Sequence, residues 1–362
     1  MVHVETEKIK DFLYRFRRPL LSTLIHLSPY TMFLRLRPLL SRSSRQYTTV
    51  PCYQVDSFSS QPFQGNPAAV CLLTSTSNGK WPLSDQLMKD IAAENNLSET
   101  AFIIPTKKNE DWSQATNFHL RWFTPTVEVD LCGHATLATA AVLLQKCGNK
   151  NKALRFQTLS GELVASSIGS SMDTDTDTAI EMVLPLNPPI DLDTPADSYQ
   201  KLSSVILNGN EDLVEKISYS ERTKKLVVTL DASKTDRSFL ESLTPNSSQL
   251  LEINQSDVGD KGTVKGIIVT LKDDTNDFDF ISRYFAPWVG IDEDPVTGSA
   301  HTVIAPMWSK RFNKNELTAR QCSPRGGNVG LRVHVDETSD DKGKLFISGE
   351  ACVVLEGLLR IN

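Results

Sequence analysis

Glu293-Asp294-Pro295-Val296-Thr297-Gly298-Ser299-Ala300-His301 runs almost directly into the apolar triplet Val303-Ile304-Ala305. Asp, Thr or Ser ahead of an apolar run predicts a helix start. The first backbone N–H groups of a helix have no partner inside it and bind anions, and glycine lets a ligand come close. An acid just outside such a cradle can move a proton on the bound molecule. The same residues also suit an ordinary capping acid followed by a glycine turn.

An upstream echo gives the stretch more weight. Residues 121–137 read Arg-Trp-Phe-Thr-Pro, then an acidic loop, then Gly133-His134-Ala135-Thr136-Leu137. Residues 283–303 read Arg-Tyr-Phe-Ala-Pro, then an acidic loop, then Gly298-Ser299-Ala300-His301. Both follow the order Arg-aromatic-Phe-x-Pro, acids, glycine, helix. Internal repetition on this scale implies a duplicated structural unit. Two such units face to face aim two helix starts into one cleft, a paired cradle for a small acidic substrate.

The 362 residues suit two domains and a tail. A net charge of −6 carries no footprint for nucleic acid, and no basic stripe occurs beyond the N-terminus. The six cysteines are Cys52, Cys71, Cys132, Cys147, Cys322 and Cys352. They form no CxxC pair and no zinc spacing, which argues against a disulfide scaffold or a structural metal and suits a reducing compartment.

Residues 1–49 differ from the rest. The segment from Arg15 to Arg45 contains arginines, serines and leucines and no acid, as in an organelle transit peptide. Glu5, Glu7 and Asp11 speak against that reading when the chain is counted from Met1, and a disordered extension without an address is the alternative. Arginines and prolines interrupt every apolar run, so no membrane span is expected there.

The folded part begins near Pro51. Gly65-Asn66-Pro67 sits in a turn cluster between two short strands and can lend N–H groups to a ligand or serve as a plain turn. Ser84 caps a helix running to about Asn95. Glu99 follows at a loop–strand junction among apolar residues, where a half-buried carboxyl acquires the raised pKa of a general acid/base, or else remains a solvated loop acid. The stretch Ala135 to Leu144 carries no charge, so that helix belongs inside its domain. His134 at its start can bond a carboxylate, shuttle a proton or play a structural part. Asp173, Asp175 and Asp177 hint at a calcium loop, but the required glycine and glutamate are missing. Strands are expected near 226–230 and 264–271. Pro306 should kink or end the helix that starts at Gly298. Arg325, in a loop, can pair with a carboxylate or lie in water.

Taken together, Asp56-x-Phe58, Pro62-Phe63-x-Gly65-Asn66-Pro67, Asn96-Leu97-Ser98-Glu99-Thr100, Cys132-Gly133-His134-Ala135-Thr136, Glu293-Asp294-Pro295-x-Thr297-Gly298-Ser299-Ala300-His301 and Arg325-Gly326-Gly327 resemble the PhzF family of phenazine-biosynthesis-like proteins, from about residue 51 onward. The resemblance implies an α/β (α+β) fold of the diaminopimelate epimerase type, two similar domains each curling a mixed sheet around one central helix, here 134–146 and 299–311. It implies a first domain over 50–178 completed by a final strand at 351–362, a second over 179–350, and the extension 1–49 outside both. It further implies a homodimer that needs no metal or organic cofactor. By the same resemblance Glu99 carries a proton, His134 and Asp294 support it, and Gly133, Gly298, Ser299, Asn66 and Arg325 are substrate-binding candidates.

The leading expectation is therefore a cofactor-independent isomerase acting on a small carboxylate. Racemase or epimerase chemistry through paired thiols is the second; Cys132 precedes one glycine, whereas the second copy has Thr297. A protein-binding member without a substrate is the third. The expected compartment is the cytoplasm, or the mitochondrion if 1–49 acts as a leader.

Overall fold

The computed structural model describes residues 48–74, 81–169, 179–253, 255–256, 262–335 and 343–361. The extension up to residue 47 and the Asp173, Asp175 and Asp177 loop lie outside these. Residues Thr49–Ile361 form one compact unit.

Within it the chain builds the same pattern twice. The first copy consists of strands β1 (Thr48–Ser57), β2 (Asn66–Leu72), β3 (Glu99–Pro105), β4 (Asn117–Phe123), β5 (Glu128–Val129), β6 (Ala153–Thr158), β7 (Gly161–Ile168) and β8 (Ala179–Pro185), with helices α1 (Asp85–Asn95) and α2 (Gly133–Gln145). The second consists of β9 (Ile190–Asp191), β10 (Val214–Ser220), β11 (Lys225–Leu230), β12 (Gly266–Lys272), β13 (Phe280–Phe285), β14 (Glu316–Gln321), β15 (Gly327–His334) and β16 (Lys344–Gly349), with α3 (Asp197–Ile206), α4 (Arg237–Ser242), α5 (Ser247–Glu252) and α6 (Gly298–Phe312). The last strand, β17 (Ala351–Ile361), returns to pair with β1.

The pairings match step for step. In the first copy β1–β2 is antiparallel, β2–β3 parallel, β3–β4 antiparallel, β4–β6 parallel, and β6–β7–β8 antiparallel. In the second, β10–β11, β11–β12, β12–β13, β13–β14 and β14–β15–β16 repeat that series. The parallel steps need crossovers, and the helices supply them. β8 and β16, the closing strands of the two copies, pair with each other antiparallel, with Met182 opposite Ile347.

Helix α2 packs against β2, β3, β7, β8 and β17, and α6 against β11, β14, β15 and β16. His134 to Leu143 are all buried, as a helix without a charge inside a curled sheet must be. One core runs through both copies, from Val142 and Leu143 to Val303, Ile304 and Trp308. The α1 helix is capped by the Ser84 hydroxyl, which accepts from the Leu87 N–H at 3.2 Å, and it closes on Asn96 in the left-handed region, φ 49°.

The expectation that the helix could end at Pro306 is corrected. Helix α6 continues to Phe312. A proline at 306 leaves the Thr302 carbonyl without its intrahelical donor. The Asn187 N–H, from the segment joining the two copies, donates to that carbonyl at 3.0 Å and replaces the missing bond.

The repeated Arg-aromatic-Phe-x-Pro stretch has a structural cause. Arg121 holds Glu128 through Nε and Nη2 at 2.6 and 2.7 Å, and Arg283 holds Glu293 through the same atoms at 2.7 Å each. These forked pairs fix the loop that delivers each glycine to its helix start. Arg283 also donates from Nη1 to the carbonyls of Leu240, Glu241 and Leu243 at the end of α4.

Candidate active site

The starts of α2 and α6 meet. A β-carbon added to Gly133 would lie 3.9 Å from the Gly298 Cα, and one added to Gly298 would lie 4.0 Å from the Gly133 Cα. Beside this meeting point is a cavity of about 230 Å³. Its wall includes Glu99, Cys132, Gly133 and His134 from the first copy and Asp294, Thr297, Gly298 and Ser299 from the second. Neither helix has a side-chain cap. The Gly298 and Ser299 N–H groups precede the first intrahelical donors, Ala300 and His301, and so remain available to an anion. Two larger hollows, about 340 and 500 Å³, lie beside Arg320 and Arg332. Two of the three acids of the second are paired with surface bases, Asp279 with Lys314 and Glu181 with Arg332.

Glu99 opens β3, buried. Its Oε2 lies 3.2 Å from His134 Nε2 but lacks hydrogen-bond geometry to any described group. His134 Nε2 also meets the Ser98 hydroxyl at 3.2 Å, and Nδ1 lies 3.5 Å from Cys132 Sγ. Burial raises the Glu99 carboxyl above the ordinary glutamate range, with the Ser98 and Cys132 contacts opposing. Burial lowers the His134 imidazole, with the Asp294 charge opposing. Both shifts favour the neutral forms, and at 3.2 Å the two groups lie within reach of proton transfer.

Asp294 is buried, which raises its pKa, while His134, Thr297 and Asn66 hold it down. Its Oδ1 accepts from Asn66 Nδ2 at 2.8 Å and its Oδ2 from the Thr297 hydroxyl. Asn66, fully buried, donates as well to the Val296 carbonyl at 2.9 Å. It therefore supports Asp294 from behind rather than lining the cavity. The local chain is built for this: Gly65 has φ +68°, and a β-carbon there would meet the Ser57 carbonyl oxygen at 2.1 Å.

Arg325 is not brought to the cavity. Its Nη2 holds Asp56 Oδ1 at 2.8 Å, and its Nε donates to the Gly65 carbonyl at 2.8 Å. The carboxylate it pairs with belongs to the protein. With the Gly65 N–H bonded to the Gly326 carbonyl at 2.7 Å, it latches the first copy to the second.

Overlaying the two copies by strand register shows how the site became asymmetric. Arg121 stands opposite Phe102 and Arg283 opposite Val269, so three steps back Glu99 and Gly266 are equivalent positions. The forked pairs equate Glu128 with Glu293, hence Val129 with Asp294. Counting back from the glycines, Cys132 matches Thr297 and His134 matches Ser299. Each copy thus supplies one of the two acids, from a different place.

One group among the described residues gathers metal-ligand types: Glu99, Cys132 and His134 offer ligand atoms all within 4.8 Å of one another. Burial, reinforced by the Glu99 charge, holds the Cys132 thiol well above its usual pKa. The ligand form is the thiolate, so a cation here would first have to displace the thiol proton.

Sequence reading missed Ser98, Thr297, Tyr284 and Asn187 as parts of the site. Ser98 and Thr297 stood inside the quoted motifs, next to residues that were singled out. Tyr284 stood in the echo as its aromatic. Asn187 gave no local signal.

The sequence model of the PhzC-PhzF family, described as phenazine biosynthesis-like protein, matches residues 55–357. A human phenazine biosynthesis-like domain-containing protein is 44% identical over 314 residues, 86% of this chain and 99% of its own. An uncharacterized isomerase of Pseudomonas aeruginosa is 38% identical over 314 residues, 85% of this chain and 98% of its own. The crystal structure of a PhzF-family phenazine biosynthesis protein from Enterococcus faecalis superposes with a TM-score of 0.67 at 33% identity, covering 87% of this chain and all of that one. The architecture is the epimerase-like one expected from the sequence.

Proposed function

The chain belongs to the phenazine biosynthesis-like protein family, and on that premise we propose that it is a cofactor-independent isomerase of a small carboxylate-bearing substrate held between its two copies. The two copies act as its two domains. The observation that carries this reading is one cavity on which two uncapped helix starts and the buried Glu99–His134 pair, 3.2 Å apart and with Glu99 Oε2 free of hydrogen bonds, converge.

In this reading the N–H groups at Gly133, Gly298 and Ser299 hold the substrate carboxylate. Glu99 takes a proton from one carbon and returns it to another. His134 relays that proton, and Asp294, fixed by Asn66 and Thr297, orients the substrate. Such general acid/base work contributes about 10²–10⁴-fold, and orientation supplies the remainder.

The test is a screen of small cyclic and amino-acid carboxylates for exchange of carbon-bound hydrogen in heavy water, run beside Glu99→Gln. Exchange is expected in the wild type and lost in the variant. Exchange that survives unchanged removes Glu99 from its role.

Racemisation through two opposed thiols is the second reading. It is weakened by Thr297, which stands where a partner for Cys132 would have to be. Cys132→Ala separates the two, because complete loss of turnover would favour a thiol mechanism. A silent, protein-binding relative is the third, and absence of exchange across the whole screen would favour it.

We further propose a homodimer. Leu355 and Leu358 on β17, the strand that pairs with β1, are more than half exposed. No helix among the described residues is long and apolar enough to cross a membrane. The arginine-rich, acid-free stretch from Arg15 to Arg45 fits a mitochondrial leader; if it does not act as one, the cytoplasm is the proposed compartment.

A further inference from the structure

Lys225 opens β11 and is 7% exposed. A buried ammonium is costly unless something answers its charge. Its only recorded partner is the ring of Tyr284, whose centroid lies 5.5 Å from Nζ; among the described residues no oxygen takes a hydrogen bond or ion pair from it. Burial brings the amine down to about 8, with the Asp294 charge opposing.

Strand register places this amine at the cavity end of the second copy. Lys225 lies beside Gly266, as Ala68 lies beside Glu99 in the first copy. Side chains two apart share a face of the sheet. Lys225 therefore faces the same way as Val227, Ile268, Tyr284 and Ala286, which belong to the core around the central helices. Tyr284, whose ring the amine faces, and Thr223, two residues before it, line the cavity, and Lys225 itself is not part of the wall. Gly266 leaves the room: a β-carbon there would come within 2.2 Å of the Tyr284 hydroxyl. Where the first copy directs a carboxyl inward from β3, the second carries nothing on β12 and an amine on the neighbouring strand.

Resting on the isomerase reading above, we propose that Lys225 receives a second anionic group of the substrate, so that the ligand class is a dianion with one carboxylate at the helix starts and another at Lys225. The helix starts lie where the copies meet, whereas Lys225 lies within the second copy. The two positive sites are therefore distinct: the helix starts belong to the cavity wall, and Lys225 stands behind that wall, under the Tyr284 ring. A monoanion leaves the buried ammonium unanswered; a diacid supplies the missing acceptor.

The experiment is calorimetric titration of the full chain with matched pairs, succinate against butyrate and glutarate against pentanoate. Wild type, Lys225→Met and Lys225→Arg are compared, with circular dichroism to confirm folding. The diacid should bind the wild type at least about tenfold more tightly than its monoacid, the range of a charge-assisted hydrogen bond. That ratio should fall close to one in Lys225→Met and be largely kept in Lys225→Arg, with monoacid binding the same in all three. A wild type without preference, one that binds no diacid, or a preference that survives in Lys225→Met overturns the proposal. A chain that prefers diacids through Lys225 but exchanges no carbon-bound hydrogen sinks only the isomerase reading. One that exchanges hydrogen in a monoacid, equally well in Lys225→Met, sinks only this one.

Discussion

Acidification offers a quantitative check on how the second helix is seated. His301 lies in the first turn of α6 and is fully buried. Its Nδ1 lies 2.8 Å from the Thr297 carbonyl, so that nitrogen carries the proton and donates. Nε2 has no partner among the described residues, and the nearest ring, Phe280, is 6.3 Å away between centroids. A proton added at Nε2 would be a buried charge without an acceptor, and burial lowers this imidazole from 6.5 to about 4. The sign follows from proton binding. Between those values the unfolded chain holds more protons than the folded one, so stability is complete above about 6.5 and drains away as the pH falls toward 4. At about 1.4 kcal/mol per pH unit, the loss integrates to roughly 3 kcal/mol. Denaturant unfolding of wild type and His301→Gln at several pH values from 7.5 down to 4.5 measures it. The wild type should lose most of that amount relative to the variant, which keeps a donor for Thr297 but cannot charge. A stability difference that does not change with pH would refute the assignment.

Three further outcomes are expected. If Glu99 acts as the base, its raised pKa places the acid limb of the wild-type kcat/KM profile above the ordinary glutamate value of 4.5, with rate falling as pH drops through it, in a pH–rate series on whichever substrate the exchange screen identifies; a profile flat through that range would refute the role. Gly298→Ala should leave the melting temperature unchanged or slightly higher, since its new methyl would meet neighbours no closer than 3.7 Å and alanine favours helix, yet it should abolish carboxylate binding because the methyl fills the cradle; binding with wild-type affinity would remove that glycine from the site. Arg325→Met should cost about 2 kcal/mol, less than a fully buried pair because the arginine is a third exposed, by leaving Asp56 buried without its partner; thermal melting reads the loss, and kcat at a permissive temperature should hold, since Arg325 stands away from the cavity.

The parts of this fold that were legible in the sequence are those set by near neighbours. The Arg-aromatic-Phe-x-Pro echo announced the duplication because its arginine and glutamate are only 7 and 10 residues apart in the two copies. Both central helices were readable from a glycine start and an uncharged run. Pro306 did not end its helix, because the substitute donor, Asn187, comes from a different segment that the local rule cannot see. Arg325 was marked as an ion-pair former, yet its partner lies 269 residues upstream, which no pattern could select. Lys225 gave no local signal at all: its meaning depends on Gly266 beside it and Tyr284 over it, hence on register between three strands.

The exchange of Glu99 for Gly266 and of Val129 for Asp294 between equivalent positions also bears on ancestry. A half-length forebear would have had to assemble from two identical chains, presenting matching faces to anything caught between them. Such a crevice accepts an asymmetric guest in either of two senses and cannot tell them apart. Halves carried on one chain need not copy each other, and the two sides of this crevice now differ.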